Sequence, residues 1–188
     1  MPKYIKILSL YALALVGLSG VWSRDATAAV DIFLKLPELG DCGTSQDGQF
    51  LGHIEVFSFG FKAENSIGGG TGGPVAGKAI ASPLQVTKPF DSCSPGLFLS
   101  TMLGRHFNEV RLDARTTGEN PFVFLSIVLE QVMVIYHSQG GSEAEDRFLE
   151  QIEFNFAKIT LTQQSMDELG RPRAPVVVCF DVSGNRAC

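Results

Sequence analysis

Residues 122–136, FVFLSIVLEQVMVIY, are apolar at almost every position, with polar interruptions only at Ser126 and at Glu130-Gln131. A membrane-spanning helix needs about 20 apolar residues, and this run has no polar stripe at helical spacing. The pattern predicts one long strand with two apolar faces, bent or bulged where Glu130 and Gln131 break the alternation. A second run, 150–162, suits it as a partner. Ile152, Phe154 and Phe156 share one parity, then the apolar positions slip to Ile159 and Leu161. The slip predicts another irregularity at Ala157-Lys158, close to the first.

The remaining elements follow from the same patterning. Residues 30–36 alternate Ile32, Leu34 and Leu36 with Asp31, Phe33 and Lys35, a strand with one core face. Residues 53–61 form another, with Phe57, Phe59 and Phe61 opposite Ile54 and Val56. Residues 65–77 are glycine-rich and predict a loop outside any packed element. Residues 80–87 resume strand character with Ile80, Leu84 and Val86 in phase, and Pro83 argues for an edge or bulge. One short helix is predicted: Ser94 as cap, Pro95 at the first position, Gly104 past the end. Val110, Leu112 and Ala114 alternate with Arg111, Asp113 and Arg115, a strand with a polar outer face. Residues 163–175 read as a polar loop and 176–182 as a last strand. The sum is an all-β chain with one short α-helix, an antiparallel two-sheet β-barrel rather than a βαβ alternation.

The amino terminus changes the picture of the compartment. Lys3 and Lys6 precede an apolar run over 7–22, and Ala26-Thr27-Ala28 gives a small-x-small cleavage pattern. This predicts a signal peptide over 1–28, cut between Ala28 and Ala29, and one domain over 29–188. The formal charge of −5 becomes more negative once that basic segment is removed. With no basic cluster, the mature chain is a poor match for nucleic acid or an anionic membrane. Four cysteines, Cys42, Cys93, Cys179 and Cys188, suit disulfides in an exported chain. Three connectivities are open, of which Cys42–Cys93 and Cys179–Cys188 are preferred. No metal-ligand spacing is present.

Candidate chemistry is thin. Gly72 to Lys78 has the spacing of a phosphate-binding loop, but Ala79 stands where a hydroxyl should meet magnesium and no helix is predicted after it. His53, His106 and His137 lie in no hydrolase motif and read as surface or interface residues. No catalytic residue, metal ligand or cofactor is assigned. What is left over is apolar strand area: Phe122 and Phe124 against Val123 and Leu125, and large side chains on both sides of 53–61. A small barrel has one inside, so the second face predicts association between copies, and head-to-tail contacts close into rings.

The ordered set of segments resembles the haemolysin-coregulated protein family, Hcp. The resemblance runs from Asp31 through Leu36, Ile54-Glu55-Val56, Ser58-Phe59-Gly60, the glycine run to Ala76-Gly77-Lys78, and Val86-Thr87-Lys88 with Asp91. It continues through Ser94-Pro95, Gly104-Arg105-His106, Ile127 through Val132, Glu150-Gln151-Ile152 and Phe156 through Ile159, with the tail 163–188 weaker. It implies a hexameric ring with a wide lumen, rings stacked into a type VI secretion tube, effector proteins as possible lumen cargo, no cofactor and no catalysis. It also implies that Gly68, Gly69, Gly70, Gly72, Gly73 and Gly77 belong to a loop engaging the neighbouring ring. With the signal segment, the expected setting is periplasmic or secreted, without a membrane anchor. Two competing readings are an exported β-domain that binds a surface glycan or protein, and an envelope hydrolase with a dispersed triad.

Overall fold

The structure, a computed structural model, describes residues 29–70, 73–143 and 146–188. The predicted signal segment, with Ala28, and Gly72 lie outside the described residues. The strands are β1 (Val30–Lys35), β2 (Ile54–Val56), β3 (Ser58–Gly60), β4 (Ala63–Gly70), β5 (Gly73–Ala81) and β6 (Leu84–Pro89). The one α-helix among the described residues is α1 (Ser94–Leu103). After it come β7 (His106–Thr116), β8 (Val123–Gly140), β9 (Leu149–Asn155), β10 (Lys158–Gln163), β11 (Val176–Asp181) and β12 (Arg186–Ala187). The all-β class with a single helix is therefore as expected.

Strand β8 is the spine. Its first half pairs with β10, its second half with β9, and β7 runs along its other edge. The predicted irregularities at 130–131 and 157 meet. Gln131 takes a left-handed φ of 53°, and the Ala157 N–H donates to the Glu130 carbonyl at 3.1 Å. There β8 turns from one partner to the other, so the sheet folds over onto its own core. The second run is accordingly two strands, β9 and β10, interrupted at Phe156-Ala157. Register shifts at Phe124 and Ile135 are further bulges that apolar composition concealed.

The second corner is Phe57. Strand β2 pairs with β1, β3 pairs with β6, and the Phe57 N–H donates to the Thr87 carbonyl between them. The ladder is broken at this switch, so the sheets wrap one core without closing into a continuous barrel. Inserting Phe57 also flips the parity. Phe59 and Phe61 rejoin the side of Ile54 and Val56 and pack on the core, and Phe57 alone is left 51% exposed. The expectation of three phenylalanines on one opposing face is corrected accordingly. Ile80 is corrected in the same way. Leu84 and Val86 are fully buried, but the break at Ser82-Pro83 leaves Ile80 on β5, exposed.

The core comprises Leu34, Leu36, Leu84, Leu97, Leu112, Ile127, Leu129, Ile152 and Phe154 with their neighbours. The outer face of β1 and β7 is not simply solvated, as the alternation had implied. Phe33 stacks on Phe50 at 4.3 Å, and the Arg115 guanidinium lies over both rings while pairing with Asp31 and Asp47. This holds residues 44–50 down on the sheet. The Cys42–Cys93 disulfide ties the start of the same loop to the start of α1. Both preferred disulfide pairs are formed.

Candidate assembly interface

Helix α1 presents most of its apolar residues outward. Ser94, Leu97 and Ser100 form the buried side, and Ser100 and Thr101 return their hydroxyls to the Gly96 and Leu97 carbonyls. Phe98, Leu99, Met102 and Leu103 all face solvent, from 50% to 72% exposed. Two of three turns thus show a contiguous greasy stripe, the arrangement opposite to that of an ordinary surface helix. Ser94 does not cap the helix as predicted. Cys93 occupies the capping position without a side-chain hydrogen bond, Ser94 being drawn inward, while Gly104 closes the other end at φ 62°.

Strand β11 adds a second apolar surface. Val176, Val177 and Val178 are each more than half exposed. β12 covers the outer edge of β11 only at Phe180 and Asp181, so the valine segment lacks a strand partner there among the described residues. Val123 and Leu125 are partly buried and Leu125 packs against the core, so this end of β8 exposes less apolar area than its two-faced pattern implied.

The glycine-rich segment is not the loop that its composition predicted. Strands β4 and β5 pair from Ala63–Ala81 out to Gly70–Gly73 as a two-stranded sheet of their own. Among the described positions of the hairpin, glycine is required at Gly77. A Cβ on Gly77 would overlap the Ser66 carbonyl and hydroxyl, where the register shifts and Gly77 N–H donates to Asn65 Oδ1 at 3.0 Å. Of the glycines predicted for an inter-ring loop, Gly68, Gly69 and Gly70 lie on β4 and Gly73 and Gly77 on β5. Lys78 is in a strand, so the helix start that a phosphate-binding loop requires is replaced by extended backbone. Ile67 and Ile80 are exposed on this hairpin, 74% and 54%.

Beneath the helix start lies a buried polar cluster that sequence reasoning missed. Lys88 is fully buried and pairs with Glu150 and, at 2.9 Å, with Asp91. Glu150 also accepts from Ser94 Oγ and Gln139 Nε2 and contacts His137 Nε2 at 2.7 Å. Burial pushes the Glu150 carboxyl up, but hydrogen bonds from Lys88, Ser94 and His137, with the lysine charge, outweigh it and hold the group below its ordinary range. The signal was in the parity: Lys88 is in phase with the core residues Leu84 and Val86, and Glu150 with Ile152 and Phe154. The two charges face each other across the β6–β9 ladder. His137, read as a surface or interface residue, is instead buried within the fold, its side chain 1% exposed. His53 bonds the Leu51 carbonyl and His106 is exposed, so the three histidines do not converge. No set of three metal-ligating side chains comes together among the described residues. Nor is any helix among them long and apolar enough to cross a membrane.

The exposed stripes and the hairpin are therefore the features that call for a function. Residues 33–163 match the family model described as "Type VI secretion system effector, Hcp". Protein hcp1 of Pseudomonas aeruginosa is 35% identical over 138 residues, spanning 72% of this chain and 84% of that protein. A solved type six secretion system protein superposes with a TM-score of 0.79 at 27% identity, covering 85% of this chain and all of the other. Hcp1 from Salmonella typhimurium gives 0.70 at 25% identity, over 85% and 99%. The family-model match over most of the chain, the 35% identity and the shared fold together place this chain in the Hcp family of type VI secretion proteins.

Proposed function

We propose that residues 29–188 form a non-enzymatic structural subunit that closes into a ring of six copies. The observation that carries the reading is the nearly inverted helix: α1 buries Leu97 with two serines and shows Phe98, Leu99, Met102 and Leu103. Exposing these side chains wastes burial worth roughly 1.5–3 kcal/mol apiece. A neighbouring copy recovers it, and head-to-tail contact between different surfaces of one chain generates rings when the rotation closes. The hairpin β4–β5 engages the next ring, stacking rings into a tube whose lumen carries effector proteins. Cleavage after Ala28 and the paired cysteines suit a subunit working in the periplasm or outside the cell.

Size-exclusion chromatography with light scattering on residues 29–188 tests this reading. The expected mass is close to six protomers. A strict monomer at micromolar concentration overturns the ring.

A further inference from the structure

The two disulfides sit in different surroundings. Cys93 is buried beneath α1, 2% exposed. Cys188 is exposed at the chain end, and its bond to Cys179 closes a loop of nine-residue separation. That loop carries Asn185, whose Oδ1 accepts the backbone N–H of Ala79 at 2.9 Å. Asn185 adopts a left-handed φ of 52° to do so, a conformation that asparagine tolerates better than most residues. Ala79 pairs with Asn65 across the hairpin. The tail therefore caps an otherwise open edge of β5 near the root of the hairpin, as edge strands require.

The loop is anchored as far as Ser183, since the Val182 and Ser183 N–H groups donate to the Ala157 carbonyl at 2.8 and 3.4 Å and Val182 packs on the core, but beyond Ser183 the ties are weak. β12 is two residues long and pairs only through Phe180–Ala187 and Asp181–Arg186, too short to stand alone. The Arg186–Asp181 contact is 3.7 Å and exposed on the arginine side, a geometry that contributes little. Asp181 shapes the turn by accepting from Ser183 Oγ and the Gly184 N–H, both 2.7 Å, but that network ends before Asn185. The last tie, Cys188 N–H to the Cys179 carbonyl at 3.3 Å, depends on the same two residues.

We infer that Cys179–Cys188 is a redox latch that holds Asn185 on β5 and fixes the root of the hairpin, and that a dithiol reductant releases it. One thiolate of the dithiol attacks the exposed Cys188 sulfur, forming a mixed disulfide, and Cys179 leaves as a thiolate that takes up a proton. The second thiol of the reductant then closes its own disulfide and expels Cys188, also protonated. Two electrons pass from the dithiol to the protein. Cys42–Cys93 reacts more slowly, because Cys93 is buried and Cys42 is partly buried against the core while Cys188 is exposed. The consequence for assembly rests on the proposed stacking role of the hairpin.

Hydrogen exchange at the Ala79 amide reads the latch directly in residues 29–188. Mild dithiothreitol treatment, with peptide mass mapping to show Cys42–Cys93 intact, should accelerate that exchange at least tenfold while core amides of β8 stay protected. Asn185→Ala should do the same in the oxidised protein, and a Cys179→Ser/Cys188→Ser variant without reductant. Unchanged Ala79 exchange after selective reduction overturns the latch, as does reduction of both disulfides together at equal rates. Particle length by electron microscopy separates the two ideas. Faster Ala79 exchange with shorter particles supports latch and stacking together, whereas faster exchange with unaltered particles supports the latch and sinks the stacking role.

Discussion

His137 Nε2 and Glu150 Oε2 lie 2.7 Å apart inside the fold, each side chain sealed from solvent, with Lys88 on the carboxylate's other oxygen. The cluster joins β6, β8 and β9 to the start of α1 through Ser94. It makes the seat of the outward-facing helix a matter of electrostatics as well as packing. Removing one partner of a buried pair leaves an uncompensated charge, which costs about 3–5 kcal/mol.

Lys88→Met should therefore destabilise the protein by about 3–5 kcal/mol, because Glu150 and Asp91 both lose their cation. Urea unfolding measures it. A loss below about 1 kcal/mol would show that the carboxylates find other partners.

The same cluster sets an acid limb. The folded-state value of Glu150 lies below its unfolded value, so its contribution is fully present above the ordinary glutamate range near roughly 4.3 and disappears as pH falls through the lowered folded value. Stability should drop as the pH is taken below that range. Glu150→Gln should be less stable at neutral pH yet lose less on acidification. An acid limb as steep in the variant as in the parent would assign the effect to other carboxylates.

Cys42–Cys93 spans 51 residues, and a bridge of that reach stabilises by about 2–4 kcal/mol through the unfolded chain. A Cys42→Ser/Cys93→Ser variant should lose that amount in thermal or urea unfolding. It should also raise exchange in residues 44–50 less than Arg115→Lys does, since Arg115 clamps Asp47 directly. Equal exchange in the two variants would place control of the loop at the disulfide alone.

Leu99→Glu with Leu103→Glu changes only exposed positions of α1, so the stability of the separated protomer should stay within about 0.5 kcal/mol. The assembly should not survive the charges. Light scattering is expected to shift toward monomer mass, and an unaltered mass would move the subunit contact to β11 or elsewhere.

Shortening the hairpin by removing residues 68–75 should leave the circular dichroism and melting of the domain unchanged, because β4–β5 is a sheet apart from the main one. Rings should form and stack poorly. Particles of full length in electron micrographs would sink the stacking role of the hairpin.

Much of the fold was legible along the chain, because burial on two faces leaves a periodic trace. The two-faced run at 122–136, the slip near Ala157, the helix with its closing Gly104 and the alternation in β1 and β7 each follow from side-chain parity or a backbone need. What the chain order could not show was where partners change. Phe57 flips the parity of its strand because β1 and β6 take hold on opposite sides of it, and that choice is made by distant segments. The glycine run became a hairpin because its two halves satisfy each other's backbone, with Gly77 lying against Ser66 where no Cβ fits. Asn185 meets Ala79, and Lys88 meets Glu150, only once the sheets are folded over. Parity along one strand determines which side chains point inward; only the three-dimensional pairing decides what they find there, since hydrogen bonds and charges act across ångströms of space rather than along the sequence.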